Sequence, residues 1–210
     1  MAIHDAYFRS GYYNATIHAP SKKYYSIEKF FKDHNVEKVL DAGCGAGRHT
    51  YLLAKAGFDV YGFDISKDAL RINRSILKKH KTGAALMQLD MSRQWPYKNN
   101  FFDAVFASRT MYQSRVAGIR RNIRAVNRVL KSSGYFFWEG PTYKTTRKRF
   151  LYERIKTVEP GTWSSIGGPY NGNLYHRFRS KTEVLSFLNR FKIIRFDFRG
   201  KTFSLLAKKL

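Results

Sequence analysis

Residues 39–48, VLDAGCGAGR, decide the fold. Val39 and Leu40 begin a buried strand that stops on an acid, Asp41, and the glycines at 43, 45 and 47 then make a turn that opens a helix. A strand ending on such a turn presents backbone N–H groups to a ligand. Without Cβ atoms the turn bends sharply and lets a ligand approach to van der Waals distance. The spacing narrows the choice of ligand. A dinucleotide fingerprint needs G-x-G-x-x-G, but here the third glycine arrives one residue early and Arg48 stands where the last glycine belongs. The Gly-Lys-Ser/Thr of a phosphate loop is absent as well.

Further strand ends follow at distances that place them along one carboxyl edge of a parallel sheet, the edge where open α/β sheets bind ligands. Residues 59–64, DVYGFD, end on Asp64, a carboxylate suited to a ribose diol. Residues 84–91, AALMQLDM, offer Asp90 to an exocyclic amine and the soft face of Met91 to an adenine ring. Residues 102–108, FDAVFAS, end on Ser108. Acid, acid and small polar residue in this order point to an adenosine site.

Together these segments, with RVLKSSG at 128–134, resemble the class I S-adenosylmethionine-dependent methyltransferases over residues 36 to 140, and within them the tellurite-resistance-like and type 11 group. That group shares the GCGxGRh turn, the GxDIS strand end and a late H-x-F, here His176 to Phe178. The resemblance implies S-adenosyl-L-methionine as cofactor, held by Asp41, Gly43, Gly45, Gly47, Asp64, Ile65, Asp90, Met91 and Ser108. The group often carries a His after the fourth strand, where this chain has Gln113. The fold expected is α/β and Rossmann-like, the class I methyltransferase fold. Its seven-stranded, mostly parallel sheet carries an antiparallel C-terminal hairpin, residues 192–198 and 202–208 joined through 199–201.

A chain of 210 residues suits one domain able to bury roughly 70% of its unfolded surface. Its expected parts are an N-terminal lid and first helix (1–35), a cofactor-binding core (36–140), an acceptor-side insertion (141–180), and a closing helix and hairpin (181–210). The single cysteine, Cys44, has no intrachain partner and packs inside the turn. No signal-peptide core or membrane-span run stands out, and neither paired Cys nor His-x-x-His marks a metal site, so a cytoplasmic protein without metal is expected. The 39 Lys and Arg against 15 Asp and Glu give a net charge of +24, which attracts polyanions at long range.

Helices are expected over 22–34, from Arg48 to Ala56, after Ser66 with Ala69, Ile72 and Ile76 inward, and from Arg115 to Lys131 up to a stop at Ser132-Ser133-Gly134. Tyr135 to Glu139 then form a fifth strand. Trp95 and Pro96 mark a loop that either closes over the adenine or simply packs its Trp. Residues 141–180 break the pattern and interleave basic with aromatic residues, a composition suited to stacking on an acceptor ring or to forming a cover helix and loop. Ser180 to Glu183 is a capping box for a helix bearing Val184, Leu185, Leu188 and Phe191.

Methyl transfer is an in-line displacement in which alignment and exclusion of water supply much of the rate. A base helps only where the acceptor holds its proton tightly, and the candidates are His176, Tyr112, Glu139 and His49, the first two placed first. Arg109, Tyr143, Trp163 and His176 are the candidate substrate-binding residues. The resemblance and the lack of an Asn/Asp-Pro-Pro-aromatic motif favour transfer to O or N of a small-molecule acceptor. The charge favours RNA, transfer RNA first, or a non-catalytic nucleic-acid-binding protein that keeps the fold.

Overall fold

The computed structural model describes residues 20–144, 154–167 and 171–210. Residues 1–19 of the expected lid lie outside them, as do residues 145–153 of the basic, aromatic segment. Helix α1 (Tyr24–Asp33) leads into β1 (Lys38–Ala42), and α2 (Thr50–Lys55), β2 (Asp59–Asp64), α3 (Lys67–Lys79), β3 (Ala85–Gln88) and β4 (Phe102–Ser108) follow. Then come α4 (Val116–Val129), β5 (Leu130–Pro141), β6 (Arg154–Glu159), β7 (Thr162–Ile166), β8 (Leu174–His176), α5 (Lys181–Leu185), β9 (Phe191–Asp197) and β10 (Thr202–Lys209).

The main sheet has seven strands in the order β3-β2-β1-β4-β5-β10-β9. Pairs within β3 to β5 are parallel, while β10 runs antiparallel to both β5 and β9. Strand order reverses between β1 and β4, so the turn after β1 opens at the switch point of the sheet. One face packs Ile119, Ile123 and Val126 of α4 with Val184, Phe187 and Leu188 against Phe136, Trp138 and Leu205. The other packs Tyr24, Ile27, Phe30 and Phe31 of α1 against Phe106, Phe137 and Leu206. The expected sheet and terminal hairpin are both present.

Several boundaries differ. Helix α2 starts only at Thr50, and Gly57, with φ of +95°, ends it. On α3 the buried residues are Ala69, Leu70, Asn73 and Leu77, whereas Ile72 and Ile76 sit at its half-buried flanks. Helix α4 stops at Val129 because Leu130 turns extended to pair with Phe102, and residues 131–134 loop out before Tyr135 rejoins Ala104. Ser132 to Gly134 thus form an irregular step within β5. Leu185 is 40% exposed, because α5 ends there after a single short turn. Ser180 does cap it, its Oγ accepting from the Glu183 N–H at 3.1 Å.

Strands β6, β7 and β8 form a second, three-stranded antiparallel sheet, where a helix and loop were one expectation. Glu159 anchors it by accepting the first N–H of α4, from Val116 at 2.6 Å. This places an acid at a helix N-terminus that its own N-cap, Arg115, leaves uncapped.

At the opposite edge of the main sheet, Asp103 accepts from the N–H groups of Lys38 at 2.7 Å and Glu37 at 3.2 Å, and from Lys131 Nζ at 2.6 Å. Against the cost of partial burial, Lys131 and these N–H groups hold its carboxyl below the ordinary value. That stability is present above the ordinary carboxylate pKa and lost as pH falls through the depressed folded value. Asp103→Ala should therefore destabilise the protein by about 1–2 kcal/mol at pH 7 in urea titration, discounted for exposure, with the gap closing below about pH 4.

Candidate functional site

The turn between β1 and α2 is closed on two sides. Gly43 has φ of +76°, and a Cβ there would lie 2.2 Å from Thr110 Oγ1 on the loop after β4. Gly47 has φ of +91°, and a Cβ there would lie 2.3 Å from Asn73 Oδ1 on α3. Only glycine fits at either position. Asn73 is fully buried and donates through Nδ2 to the Gly45 carbonyl at 3.3 Å and to Thr50 Oγ1 at 3.2 Å. Thr50 in turn donates to Asp41 Oδ2 at 2.8 Å. A polar residue on the apolar stripe Ala69, Asn73, Leu77 was the sequence signal for this prop, and it went unused.

Asp64, half-buried at the end of β2, ties the turn to its own strand end. Oδ2 accepts from the Gly45 N–H at 2.9 Å, and Oδ1 accepts from the Ser66 N–H at 3.0 Å. Ile65 follows, its carbonyl accepting from Gln88 Nε2 at 3.0 Å. Beyond β3, Asp90 accepts from the Ser92 N–H at 2.8 Å, and Met91 Sδ lies 3.8 Å from Thr110 Oγ1. The structure therefore brings Asp41, the glycines, Asp64, Met91 and Thr110 around one turn. Trp95 does not cover an adenine site. It is 1% exposed, packs its ring against Phe63 and donates Nε1–H to the Met91 carbonyl.

Asp41 is almost fully buried with Thr50 as its hydrogen-bond donor, and among the described residues no cation pairs with it. Burial pushes its carboxyl up to about 7, with Asp64 adding to the effect and Thr50 and Arg48 opposing it. Burial also pushes the Cys44 thiol up, which leaves it an inert packing group. His49 is buried against Phe106, accepts from the Ser21 N–H at 3.0 Å through Nε2, and is held well below its ordinary pKa by burial, Arg48 and Arg109. It anchors the start of the α1 segment as a neutral ring.

The candidate base His176 has no exposed surface. Its Nδ1 lies 2.8 Å from Thr162 Oγ1 and its Nε2 lies 3.3 Å from Glu183 Oε1, while its own N–H donates to the Tyr112 carbonyl at 2.7 Å. Burial holds it below its ordinary pKa despite Glu183 and Glu159. A ring enclosed this way joins the small sheet to α5 and to the loop after β4. Tyr143 is 54% exposed, and Arg109 is exposed with φ of +59°. Trp163 pairs across the small sheet with Tyr175, whose ring lies 6.4 Å from that of Tyr112, and the Arg177 guanidinium sits 5.6 Å over Trp163. At the ends of β4 and β5, Ser108 donates to Glu139 Oε2 at 2.7 Å. Among the described residues no cluster of His, Cys, Asp and Glu is placed to hold a metal.

A doubly wound sheet with a glycine turn at its switch point and carboxylates on the next strand ends defines a nucleoside-binding domain. Residues 39–134 match the sequence model of the family described as "Methyltransferase domain". An uncharacterized methyltransferase of Synechocystis is 34% identical over 100 residues, which cover 48% of this chain and 45% of that protein. The crystal structure of a SAM-dependent methyltransferase from Methanosarcina mazei superposes with a TM-score of 0.68 at 27% identity, over 85% of this chain and 97% of that one. The fold also matches that of the Burkholderia thailandensis 1,6-didemethyltoxoflavin-N1-methyltransferase with bound 1,6-didemethyltoxoflavin and S-adenosylhomocysteine, with a TM-score of 0.71 at 15% identity over 99% and 88% of the two chains. The chain spans about half the length of the relatives it matches in sequence.

Residues 39–134 thus match a methyltransferase domain, set in a fold shared with S-adenosylmethionine-dependent methyltransferases. S-adenosylmethionine is the cofactor of that domain, and the residues present fit it. The turn leaves room only for glycine, and Asp41 is an almost fully buried carboxylate on the strand that leads into it. Because its folded pKa is raised, Asp41 costs stability as pH rises from about 4 to 7 and costs it fully above. Asp41→Asn should therefore stabilise the cofactor-free protein at pH 8 by roughly 1–4 kcal/mol, and by little at pH 4. The same substitution should weaken S-adenosylmethionine, so thermal denaturation with and without cofactor checks both signs.

Proposed function

We propose that the chain transfers the methyl group of S-adenosylmethionine to a nitrogen or oxygen of a small-molecule acceptor lying over the carboxyl ends of β4 and β5. The observation that carries this reading is the glycine cradle wedged between Thr110 and Asn73 at the switch point. In it Asp64 takes the ribose, Asp90 and Met91 take the adenine, and Asp41, Ile65 and Ser108 complete the wall. Bound there, the cofactor supplies an electrophilic methyl carbon on a sulfonium. The chain's own part is to align the acceptor with that carbon and keep water out.

The acceptor side is supported by the small sheet, whose Trp163, Tyr175 and Arg177 share one face by strand alternation, next to Tyr112. Such a face suits a planar acceptor, in keeping with the 1,6-didemethyltoxoflavin bound by the Burkholderia neighbour.

A second reading, methylation of transfer RNA, rests on the +24 charge. Part of the α4 arginine row is already occupied. Arg128 donates to the carbonyls of Trp95 and Tyr97 at 2.7 Å each, and Arg120 lies over Phe187. Incubation with radiolabelled cofactor and either a low-mass metabolite extract or total transfer RNA separates the readings. Label is expected in low-mass products at all salt concentrations. Label confined to RNA, with affinity falling at a slope of about −0.7 to −0.9 per phosphate contact, would establish the RNA reading instead. RNA retention without any labelling would make the chain a binding protein.

A further inference from the structure

Glu139 is a buried carboxylate that the fold does not use up. It is 5% exposed, and its register partners are Ser108 on β4 and Ser204 on β10. Ser108 Oγ donates to Oε2 at 2.7 Å, and the Arg109 N–H donates to the Glu139 carbonyl at 3.0 Å. Among the described residues Oε1 accepts no hydrogen bond, and no Lys, Arg or His nitrogen lies within ion-pair distance of either oxygen. Oε1 is also absent from the polar atoms sealed away from solvent. An ionised carboxylate this deep is ordinarily paired or multiply hydrogen-bonded, so the missing partner points outward.

Its position says toward what. Asp41 on β1 is level with Phe106 on β4, and Ser108 and Glu139 come two residues later, at the carboxyl edge. Glu139 therefore stands two strands, about 10 Å, from the strand that carries the glycine turn. Ser108 lies on the strand between them. Strand alternation puts both side chains on the face of Phe106 and Phe137.

We propose that Glu139 is the acceptor-binding carboxylate. Ser108 fixes its Oε2, and its Oε1 receives an N–H or O–H of the acceptor and takes that proton as the methyl group arrives. The acceptor heteroatom's lone pair forms the new bond to carbon, the carbon–sulfur pair stays on sulfur and discharges the sulfonium, and the proton ends on Oε1 before passing to water. This rests on the methyl-transfer reading above and specifies its substrate class: an acceptor presenting a protonated nitrogen or a hydroxyl. An acceptor that reacts through a carboxylate is repelled by like charge.

Three measurements on Glu139→Gln and Glu139→Asp test the proposal. Glu139→Gln should melt no lower than wild type at pH 7.5 and should bind S-adenosylhomocysteine unchanged by calorimetry. Its labelling of the low-mass extract should fall about 100-fold or more, whereas Glu139→Asp should recover part of the rate. Wild-type labelling by Glu139→Gln would overturn the proposal and leave methyl transfer standing. A marked fall in melting temperature or in S-adenosylhomocysteine affinity would overturn it as well, because the carboxylate would then be structural. If wild type labels neither the extract nor transfer RNA, the methyl-transfer reading falls and takes this proposal with it.

Discussion

The turn after β1 has no room for side chains, and much of the candidate site depends on that. The hydroxyl of Thr110 presses on it from the loop after β4, and the amide of Asn73 presses from α3. Because Gly43 and Gly47 also hold backbone conformations that L residues rarely adopt, the turn is fixed by contact and by dihedral together. Strands β1 and β4 flank the switch point, so the same contact that shapes the turn sets its distance from the loop on the acceptor side. A ligand seated on the turn meets groups positioned by three separate elements.

The buried and half-buried carboxylates differ in how many hydrogen-bond donors the fold gives them. Asp41 is destabilised by burial and by Asp64, while Glu139 has one donor where two or three would be usual. Asp103, at the opposite edge, has three donors and stabilises the sheet. All three are carboxylates near strand ends, and they differ in whether the fold supplies their partners. Some of the positive charge is committed within the fold, as Arg128 shows by holding the Trp95 loop against α4.

The sheet was legible because its information is local. Apolar runs ending on Asp41, Asp64 and Ser108 set the strands, and glycine spacing set the turn. The boundary of α4 was misread because Ser132 to Gly134 looks like a helix stop, while the pairing of Leu130 with Phe102, a contact between distant residues, ends the helix earlier. Asn73 and Thr110 escaped notice for the same reason, since each acts on a turn remote in sequence. His176 attracted attention as a histidine in a mixed segment, but its surroundings, Thr162 and Glu183, come from a sheet and a helix that composition did not reveal. The three-stranded sheet was hidden because β6 is mostly exposed and β8 has only three residues, too few to show alternation.

The most direct measurement of the central claim is calorimetric titration of S-adenosylhomocysteine into wild type and Gly43→Ala, with far-UV circular dichroism as a check on folding. A Cβ at residue 43 would strike Thr110 and strain the turn, so wild type should show saturable single-site binding and the folded variant none measurable. Undiminished affinity in Gly43→Ala would contradict it.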